Sequence, residues 1–595
     1  MPNLALKLEL RRRSVDKVIY QQALAEGVHP LLATIFAGRL NQSSPLISRL
    51  IESSLNQLAA PDSLADLPLA LQRLKQAWQQ GETFGLLTDY DVDGITSHVV
   101  IYRTLTELLG VPAARIQSLI GHRIEDGYGV SDSLVDRILA ADKLPDVIIT
   151  ADCGSSDEQR IARLKAAGID VIVTDHHTIP SAGLPTSAYA VINPTRQDCY
   201  YPDKTLAGVG VAWLLMSALR SRLVAEGFIP KTTPKLSFLL PFVALGTVAD
   251  CVSLGGSAIN RALVRVGLQL MNDSNDACWQ AFRQLMGARE QTFTASTLGF
   301  QLGPRINASS RMADPYDALR YLLATDLTTA TQHLALLDSD NQQRRTVEAE
   351  MVQAALQGAK QQVAAGMQSL VAYLDDGHAG VQGIVASRLV EKHGRPTVVL
   401  TPAADTKHLV ASARSVLGVN VHAALQRIDE LHPGLFVKFG GHQAAAGLTL
   451  WKERLIDFQQ AFEKAVLYQL GERRLSPYLL TDGELEPSLI SLETVALLKK
   501  LEPYGREFEA PVFEGVFQVA GLRVVGADPV HLQLDLTLPN VVNRIKAIWF
   551  RALPQAGAQL PFQEDDQIRL VYRLETQVFR GKTSLQLMVN YAELI

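Results

Sequence analysis

The 595-residue chain is poor in cysteine, in histidine, in positive charge and in long apolar runs. Its four cysteines, Cys153, Cys199, Cys251 and Cys278, are scattered without metal-ligand spacing, the pattern of free thiols in a reducing cytosol. The most apolar stretch, 238–252, contains Pro241, Gly246 and Asp250, so it does not read as a membrane span. The N-terminal stretch MPNLALKLELRRRS has no apolar core of signal-peptide length, and no secretion signal is visible. The net charge of −5 does not announce a phosphate-rich partner. If such a partner exists, the positive charge must be local, or come from metal ions and helix N-termini.

What is present is a chain that can fold around large cores, with 47% hydrophobic residues and 41 glycines. The length suggests three or four domains. Against only 13 histidines, the run Asp175-His176-His177 stands out. It follows Val171-Ile172-Val173-Thr174, a buried-strand pattern. The same event, a strand stopping at acids, recurs. Phe84–Thr88 runs into Asp89-Tyr90-Asp91-Val92-Asp93-Gly94, where Gly94 is read as permitting a turn into a helix through Leu109. Asp146–Ala151 runs into Asp152-Cys153-Gly154, and 242–249 ends at Asp250, with an apolar lead-in whose period fits helix or strand. A calcium loop of D-x-D-x-D-G type fails for the first of these, because position 12 is Val100 rather than Glu and no helix precedes it.

Between Asp152 and Asp175, residues 158–167 form a short helical segment ended by Gly168, giving strand–helix–strand and hence parallel neighbours. Open parallel sheets collect ligand-binding residues at the carboxyl ends of their strands. Residues 316–357 hold neither Gly nor Pro and read as one or two helices, the last part a connector between two globular halves. The second half contains Ser412-Ala413-Arg414-Ser415 and Gly440-Gly441-His442, the latter read as glycines before a helix, an arrangement suited to phosphate. After Gly505 the pattern turns β-rich: segments 512–519, 522–525, 531–538, 545–550 and 567–574 suggest a small barrel or sandwich. Arg523, Arg544, Lys546, Arg551, Arg569, Arg573, Arg580 and Lys582 lie there among aromatics, as on an OB-type nucleic-acid surface.

Four separated segments thus supply Asp and His but no Cys. Oxygen ligands with one or two imidazoles favour Mn²⁺ or Mg²⁺ over structural zinc. Five or more carboxylates suit two ions sharing them, the arrangement of two-metal phosphoester hydrolysis.

The four acidic motifs in this order resemble those of the DHH phosphoesterase superfamily, and Gly440-Gly441-His442 resembles the signature of its DHHA1 partner domain. More narrowly, His122-Arg123 through Gly129, 206–211, Pro304-Arg305-Ile306-Asn307-Ala308 with Arg311, 412–415 and the β-rich tail resemble the RecJ family of single-strand-specific DNA exonucleases. The resemblance implies an α/β fold: a parallel-sheet DHH domain joined by a long helix to an α/β DHHA1 domain, followed by a β-rich OB-like domain. It implies Asp91 on one ion, Asp93 on the other, Asp89 beside them and Asp152 bridging both. His176 and Asp250 would complete the second site, Asp175 would orient its neighbours, and His177 would face the scissile phosphate. Arg123, Ser412 and Arg414 would hold a 5′ phosphate, giving 5′-to-3′ polarity and 5′-mononucleotides. His442 would contact the backbone near the cut, and Arg305 or Arg311 would lie on the strand path. Val92, Ser309-Ser310 and Gly377 depart from the family pattern without removing a ligand.

The expected domains are an N-terminal helical region (1–75), a DHH catalytic domain (76–330), a connecting helix (331–362), a DHHA1 domain (363–470) and a linker with an OB-like domain (471–595). The implied protein is cytoplasmic, a monomer without a membrane, acting on single-stranded DNA in repair and recombination. A single-strand-binding protein and a helicase are its implied partners. Two rivals remain: a DHH phosphodiesterase for short oligonucleotides or cyclic dinucleotides, and a non-catalytic DNA-binding scaffold.

Overall fold

A computed structural model describes residues 8–40, 47–123, 125–287, 292–538, 544–579 and 581–595. The chain opens with a short strand, β1 (Glu9–Arg12), and three helices, Lys17–Ala25, Pro30–Ala37 and Ile47–Glu52. Asp16 caps the first helix, its carboxylate accepting from the Val18 and Ile19 amides. The apolar faces of these helices enter a core drawn from both ends of the chain, to which the following domain contributes Leu254 and Val264. Ile19, Leu32, Phe36 and Leu50 share a core with Leu501, Phe508, Phe517 and Leu534 near the other end of the chain, and the Phe36 and Phe508 rings lie 5.0 Å apart.

The acid-bearing strands form one parallel sheet. Its members are β2 (Phe84–Thr88), β3 (Ile116–Ile120), β4 (Val147–Ala151), β5 (Asp170–Thr174) and β6 (Ala190–Ile192), in the order β3-β2-β4-β5-β6. β2 and β4 are buried throughout, as expected of strands covered by helices on both faces. The register aligns the strand ends: Thr88 pairs with Ile120 and Ala151, Ala151 with Thr174, and Thr174 with Ile192. The residues just beyond continue the ladder, with the Asp89 amide donating to Ala151 O, Asp152 to Thr174 O and Asp175 to Ile192 O. Three acids from distant parts of the sequence therefore stand side by side on one edge.

The lead-in to Asp250 is a helix, Leu240–Ala249, with Pro241 in its first turn. Residues 240–247 are all buried, which is why no period showed in the sequence. Gly94 does not act by turning the chain. It lies inside the helix Val92–Arg103, where a Cβ would collide with the Asp89 carbonyl oxygen. Among the described residues one helix, Gly208–Ala225, is long and apolar enough to cross a membrane by length and composition, but 67% of it is buried inside the protein.

A 38-residue helix, Leu327–Ala364, capped by Asp326, leads to the second half; at 1.5 Å per residue it spans about 57 Å. There β7 (Leu370–Tyr373), β8 (Thr397–Pro402), β9 (His408–Arg414), β10 (Phe436–Gly441) and β11 (Ala445–Trp451) form a mixed sheet in the order β10-β11-β9-β8-β7. Gly440-Gly441 closes a hairpin instead of opening a helix. Ala445–Trp451 alternates buried and accessible residues against β9, and strand pairing overrides the helical propensity of the three alanines.

β12 (Tyr478–Thr481) pairs in parallel with β1, tying the two ends of the chain together. Five strands then close a barrel in the order β13-β14-β15-β17-β16: β13 (Phe513–Val525), β14 (His531–Thr537), β15 (Ile545–Trp549), β16 (Gln567–Phe579) and β17 (Lys582–Leu594). The expected strands 512–519 and 522–525 are one strand, bulged between Val519 and Gly521. The final strand, β17, lies outside the five expected segments, although Leu585, Leu587, Val589 and Tyr591 alternate along it.

Candidate metal centre and nucleic-acid groove

The sheet edge supplies half of the acidic pocket and the helix ends supply the rest. Asp91 is the N-cap of the helix Val92–Arg103, its carboxylate accepting from the Asp93 and Gly94 amides. Asp93 follows inside the first turn. Its two oxygens accept from the Gly208 amide (2.6 Å) and the Val209 amide (2.8 Å), so a second helix N-terminus faces it. Close approach here requires small residues: a Cβ on Gly246 would lie 2.8 Å from Val209 Cγ1 and 2.9 Å from Asp93 Oδ1. Asp250 ends the helix Leu240–Ala249 on the opposite side.

His176 joins these parts. Its Nε2 lies 3.1 Å from Asp152 Oδ1, 3.6 Å from Asp250 Oδ2 and 3.8 Å from Asp93 Oδ2. Two adjoining ligand sets result, Asp89–Asp91–Asp152 and Asp93–His176–Asp250, each with its ligand atoms within 4.8 Å of one another. A third such set, Asp152–His176–His177, links them. Asp152 stands between, with φ of 62°, a left-handed conformation that costs a non-glycine residue roughly 1–3 kcal/mol and persists where surroundings enforce it.

The electrostatics describe a pocket short of positive charge. Burial, then the neighbouring Asp93 and Asp91, push Asp152 well above the usual carboxylate range. Burial and Asp91 do the same to Asp89, opposed by Arg123, and burial with Asp93 and Asp91 to Asp250. Asp93 is pushed up to about 7 by burial and Asp91. Asp89 Oδ1 is buried without a hydrogen-bond partner. Crowded carboxylate oxygens, one imidazole and an orphaned acceptor fit hard divalent cations.

Asp175 is arranged differently. Burial raises its carboxyl, but the His177 hydrogen bond and the charges of His177 and His176 bring it below the usual range. Its oxygens accept from the Ser155 amide (3.0 Å), the His176 amide (2.7 Å) and His177 Nδ1 (2.8 Å). It is saturated with donors and orients the two histidines. Burial would lower His177, yet Asp175 and the facing Asp250 and Asp93 lift it to about 9.

Three supports had no role assigned from sequence, although Tyr128 and Gly208-Val209 lie in the segments 122–129 and 206–211 named above. Tyr128 OH donates to Asp152 O (3.1 Å) and lies 3.0 Å from His177 Nδ1. Asn193, one residue past β6, donates to His177 O and Ser155 Oγ, both at 2.9 Å. The Gly208-Val209 amides hold Asp93.

The basic residues sort themselves. Arg123 stacks over Tyr90, 4.4 Å from the ring centroid. Arg311 donates to Gly380 O (2.5 Å), bridging the two halves. Burial and then the charges of Arg123, Arg344 and Arg414 push Arg311 down to about 9; burial and Arg123 also lower Arg414. Among the described residues, Arg123, Arg311 and Arg414 have no ion-pair partner. A guanidinium keeps its proton, so this crowding demands an anion. Ser412 shares a strand face with Arg414, and Gly383 leaves room for the Arg414 guanidinium, 2.6 Å from where a Cβ would stand. Arg305 lies apart, bonded to Asp338 Oδ1 (2.8 Å) on the long helix. His442 is exposed at the β10–β11 turn, its amide donating to Ala445 O.

A cavity of about 630 Å³ extends from Arg311 along the long helix, lined in part by Phe300, Arg344, Arg345, Arg388 and Arg551. Arg551 is the barrel's contribution. Several other barrel bases are engaged within the barrel: Lys546 with Asp535, Arg569 with Glu593, Arg573 with Glu575 and Arg523 with Gln533. Arg580 lies outside the described residues.

Residues 84–247 match the DHH family, N-terminal domain; residues 366–467 match the DHHA1 domain; residues 481–591 match the RecJ OB domain. The chain is 35% identical over 571 residues to the single-stranded-DNA-specific exonuclease RecJ of Haemophilus influenzae, covering 95% of this chain and 96% of that one. It is similar to the crystal structure of Thermus thermophilus RecJ in complex with Mn²⁺, with a TM-score of 0.77 at 25% identity over 98% of this chain and 79% of that one. The Mg²⁺ complex of the same protein gives a TM-score of 0.72, at 25% identity over 98% and 78%.

Proposed function

The chain belongs to the RecJ family of single-stranded-DNA-specific exonucleases, and from that premise we propose how its residues divide the work of phosphodiester hydrolysis. It is a single-stranded-DNA exonuclease that uses Mn²⁺ or Mg²⁺. The observation that carries the division is the position of Asp152 between the Asp89–Asp91 set and the Asp93–His176–Asp250 set.

Asp91, with Asp89 beside it, holds one ion; Asp93, His176 and Asp250 hold the other; Asp152 bridges. Bound there, a pair of divalent ions supplies Lewis-acid activation of water and of the phosphodiester. The protein's own residues do the rest. Asp175 accepts from His177 Nδ1, which holds the ring in place and leaves Nε2 to face the scissile phosphate. Tyr128 and Asn193 hold that imidazole and its backbone in place. Arg123, Ser412 and Arg414 receive the 5′ phosphate, which sets 5′-to-3′ polarity and releases 5′-mononucleotides. Arg311, rather than the already neutralised Arg305, lies on the strand path, and the groove continues past Arg345 to Arg551, Arg344 being paired with Glu348. His442 meets the backbone near the cut. A monomer in the cytoplasm, acting in repair and recombination beside a helicase and a single-strand-binding protein, fits these parts.

A groove running beyond Arg311 to Arg345 and the barrel's Arg551, with Glu348 pairing Arg344 and Arg388 between them, favours long strands over dinucleotides. The complete ligand set disfavours a non-catalytic scaffold. The test is digestion of single-stranded DNA labelled separately at each end, with Mn²⁺ or Mg²⁺. A 5′ label released at once as mononucleotide, with the 3′ label kept in shortening chains, supports the reading. Hydrolysis of dinucleotides alone, with long strands untouched, contradicts it.

A further inference from the structure

The loop that follows Asp250 belongs to two bodies. Asp250 ends a helix of the catalytic core, whereas Leu254, four residues on, is part of the core shared by the N-terminal helices and the barrel. Between them Cys251 adopts a left-handed conformation, φ 58°. A non-glycine residue holds that conformation only where its surroundings enforce it. Here the enforcing contacts come from residues 501–508, between the catalytic domain and the barrel. The Leu254 amide donates to Arg506 O (3.0 Å). Arg506 Nη1 donates back to Cys251 O (3.3 Å). Gly255 approaches Glu507 so closely that a Cβ would lie 2.6 Å from its carbonyl oxygen. Beneath them the fully buried Arg261 donates to Leu254 O (3.2 Å), Pro503 O (3.2 Å), Leu501 O (2.5 Å) and Leu50 O (2.8 Å).

The same segment supports the other side of the pocket. Asn260 donates to Thr205 O (2.8 Å) and Ser253 O (3.1 Å), and Ser257 bonds Asp203. Residues 203–207 lead directly to Gly208 and Val209, whose amides hold Asp93. Both Asp250 and the support of Asp93 therefore hang on a loop fastened to the barrel-bearing body.

We propose that Arg506 is a positioning residue for the metal ligand Asp250, through which docking of the C-terminal body sets the affinity of the Asp93–His176–Asp250 ion site. The inference rests on the assignment of Asp250 as a ligand. No conformational signal beyond these contacts is needed: a loosened loop lets Asp250 swing out, and the ion site with fewer fixed ligands weakens first.

The test is Mn²⁺ binding to the full chain, followed by the EPR signal of free Mn²⁺, with thermal unfolding of the metal-free protein alongside. Arg506 is largely exposed, 60% in its side chain, so Arg506→Ala is expected to keep its metal-free Tm. Its weaker Mn²⁺ step should weaken about five- to ten-fold, the worth of one ordinary hydrogen bond, and Arg506→Lys should recover most of it. Asp250→Asn is the reference and should lose that step altogether. An Arg506→Ala protein that binds both ions as wild type, while Asp250→Asn loses one, overturns the proposal alone. Wild-type binding by Asp250→Asn overturns the ligand assignment beneath it. A lowered metal-free Tm with unchanged Mn²⁺ affinity would make Arg506 merely structural and also overturns it.

Discussion

Asp152 Oδ1 and His176 Nε2 are 3.1 Å apart, although the residues lie past the ends of different strands. Asp152 is one residue beyond β4 and His176 two beyond β5, and the aligned register of those strands brings them together. Through this contact the two carboxylate sets become one pocket.

Asp152→Asn should reduce Mn²⁺-dependent hydrolysis of single-stranded DNA by at least about 10³-fold, since an Asn cannot bridge two cations. Asn tolerates the left-handed backbone better than most residues, so the fold should survive. Removing one of several crowded carboxylates should also raise the Tm of the metal-free protein. Rate measurements and metal-free calorimetry check both; unaltered cleavage would mean that Asp152 is not the bridge.

Asp175→Asn should leave metal binding within a few-fold of wild type and lower kcat about 10²–10⁴-fold, the range of a lost or misdirected proton-transfer group. The saturated carboxylate acts on His177, not on the ions. A parallel loss of Mn²⁺ affinity would instead make Asp175 a ligand.

The stabilisation of the fold by Mn²⁺ should grow with pH. Asp93 rises to about 7 from the ordinary 3.8, so the folded metal-free protein keeps this proton where the unfolded chain has lost it. That contribution to stability is full below about pH 4 and disappears as pH climbs through 7. A divalent ion replaces the proton and removes the repulsion. The Tm gain on adding Mn²⁺ should therefore be larger at pH 8 than at pH 6; an equal gain at both would show that the acids are not titrating as a cluster.

Arg414→Ala should abolish the preference for 5′-phosphorylated over 5′-hydroxyl ends, a loss of about 10- to 100-fold in kcat/KM on phosphorylated strands. Gly383→Ala should act in the same direction by displacing the Arg414 guanidinium. Competition between the two kinds of end measures it.

Much of this site was legible before any coordinates. Alternating acids after buried strands placed Asp89, Asp152 and Asp175 on one edge, because parallel strands with short crossovers leave few other arrangements. The Leu240–Ala249 helix was not legible, since a segment buried all round has no period. The hairpin at Gly440-Gly441 was hidden by helix-favouring alanines whose partner strand, β9, pairs Arg414 with Ala445 and Ala413 with Ala446 from well upstream. Arg305 and Arg311 looked alike in sequence. Only Asp338, one turn of a distant helix, separates a neutralised arginine from one that awaits an anion. The core shared by the N-terminal helices and the barrel rests on contacts such as Phe36 with Phe508, far apart in sequence, and nothing local encodes it.

The most direct measurement is anomalous diffraction from a Mn²⁺-soaked crystal of the full chain. Two peaks about 3.5–4 Å apart, one beside Asp91 and one beside His176 and Asp250, with the Asp152 carboxylate between them, are expected. A single peak, or two peaks that Asp152 does not join, would contradict a shared two-ion centre.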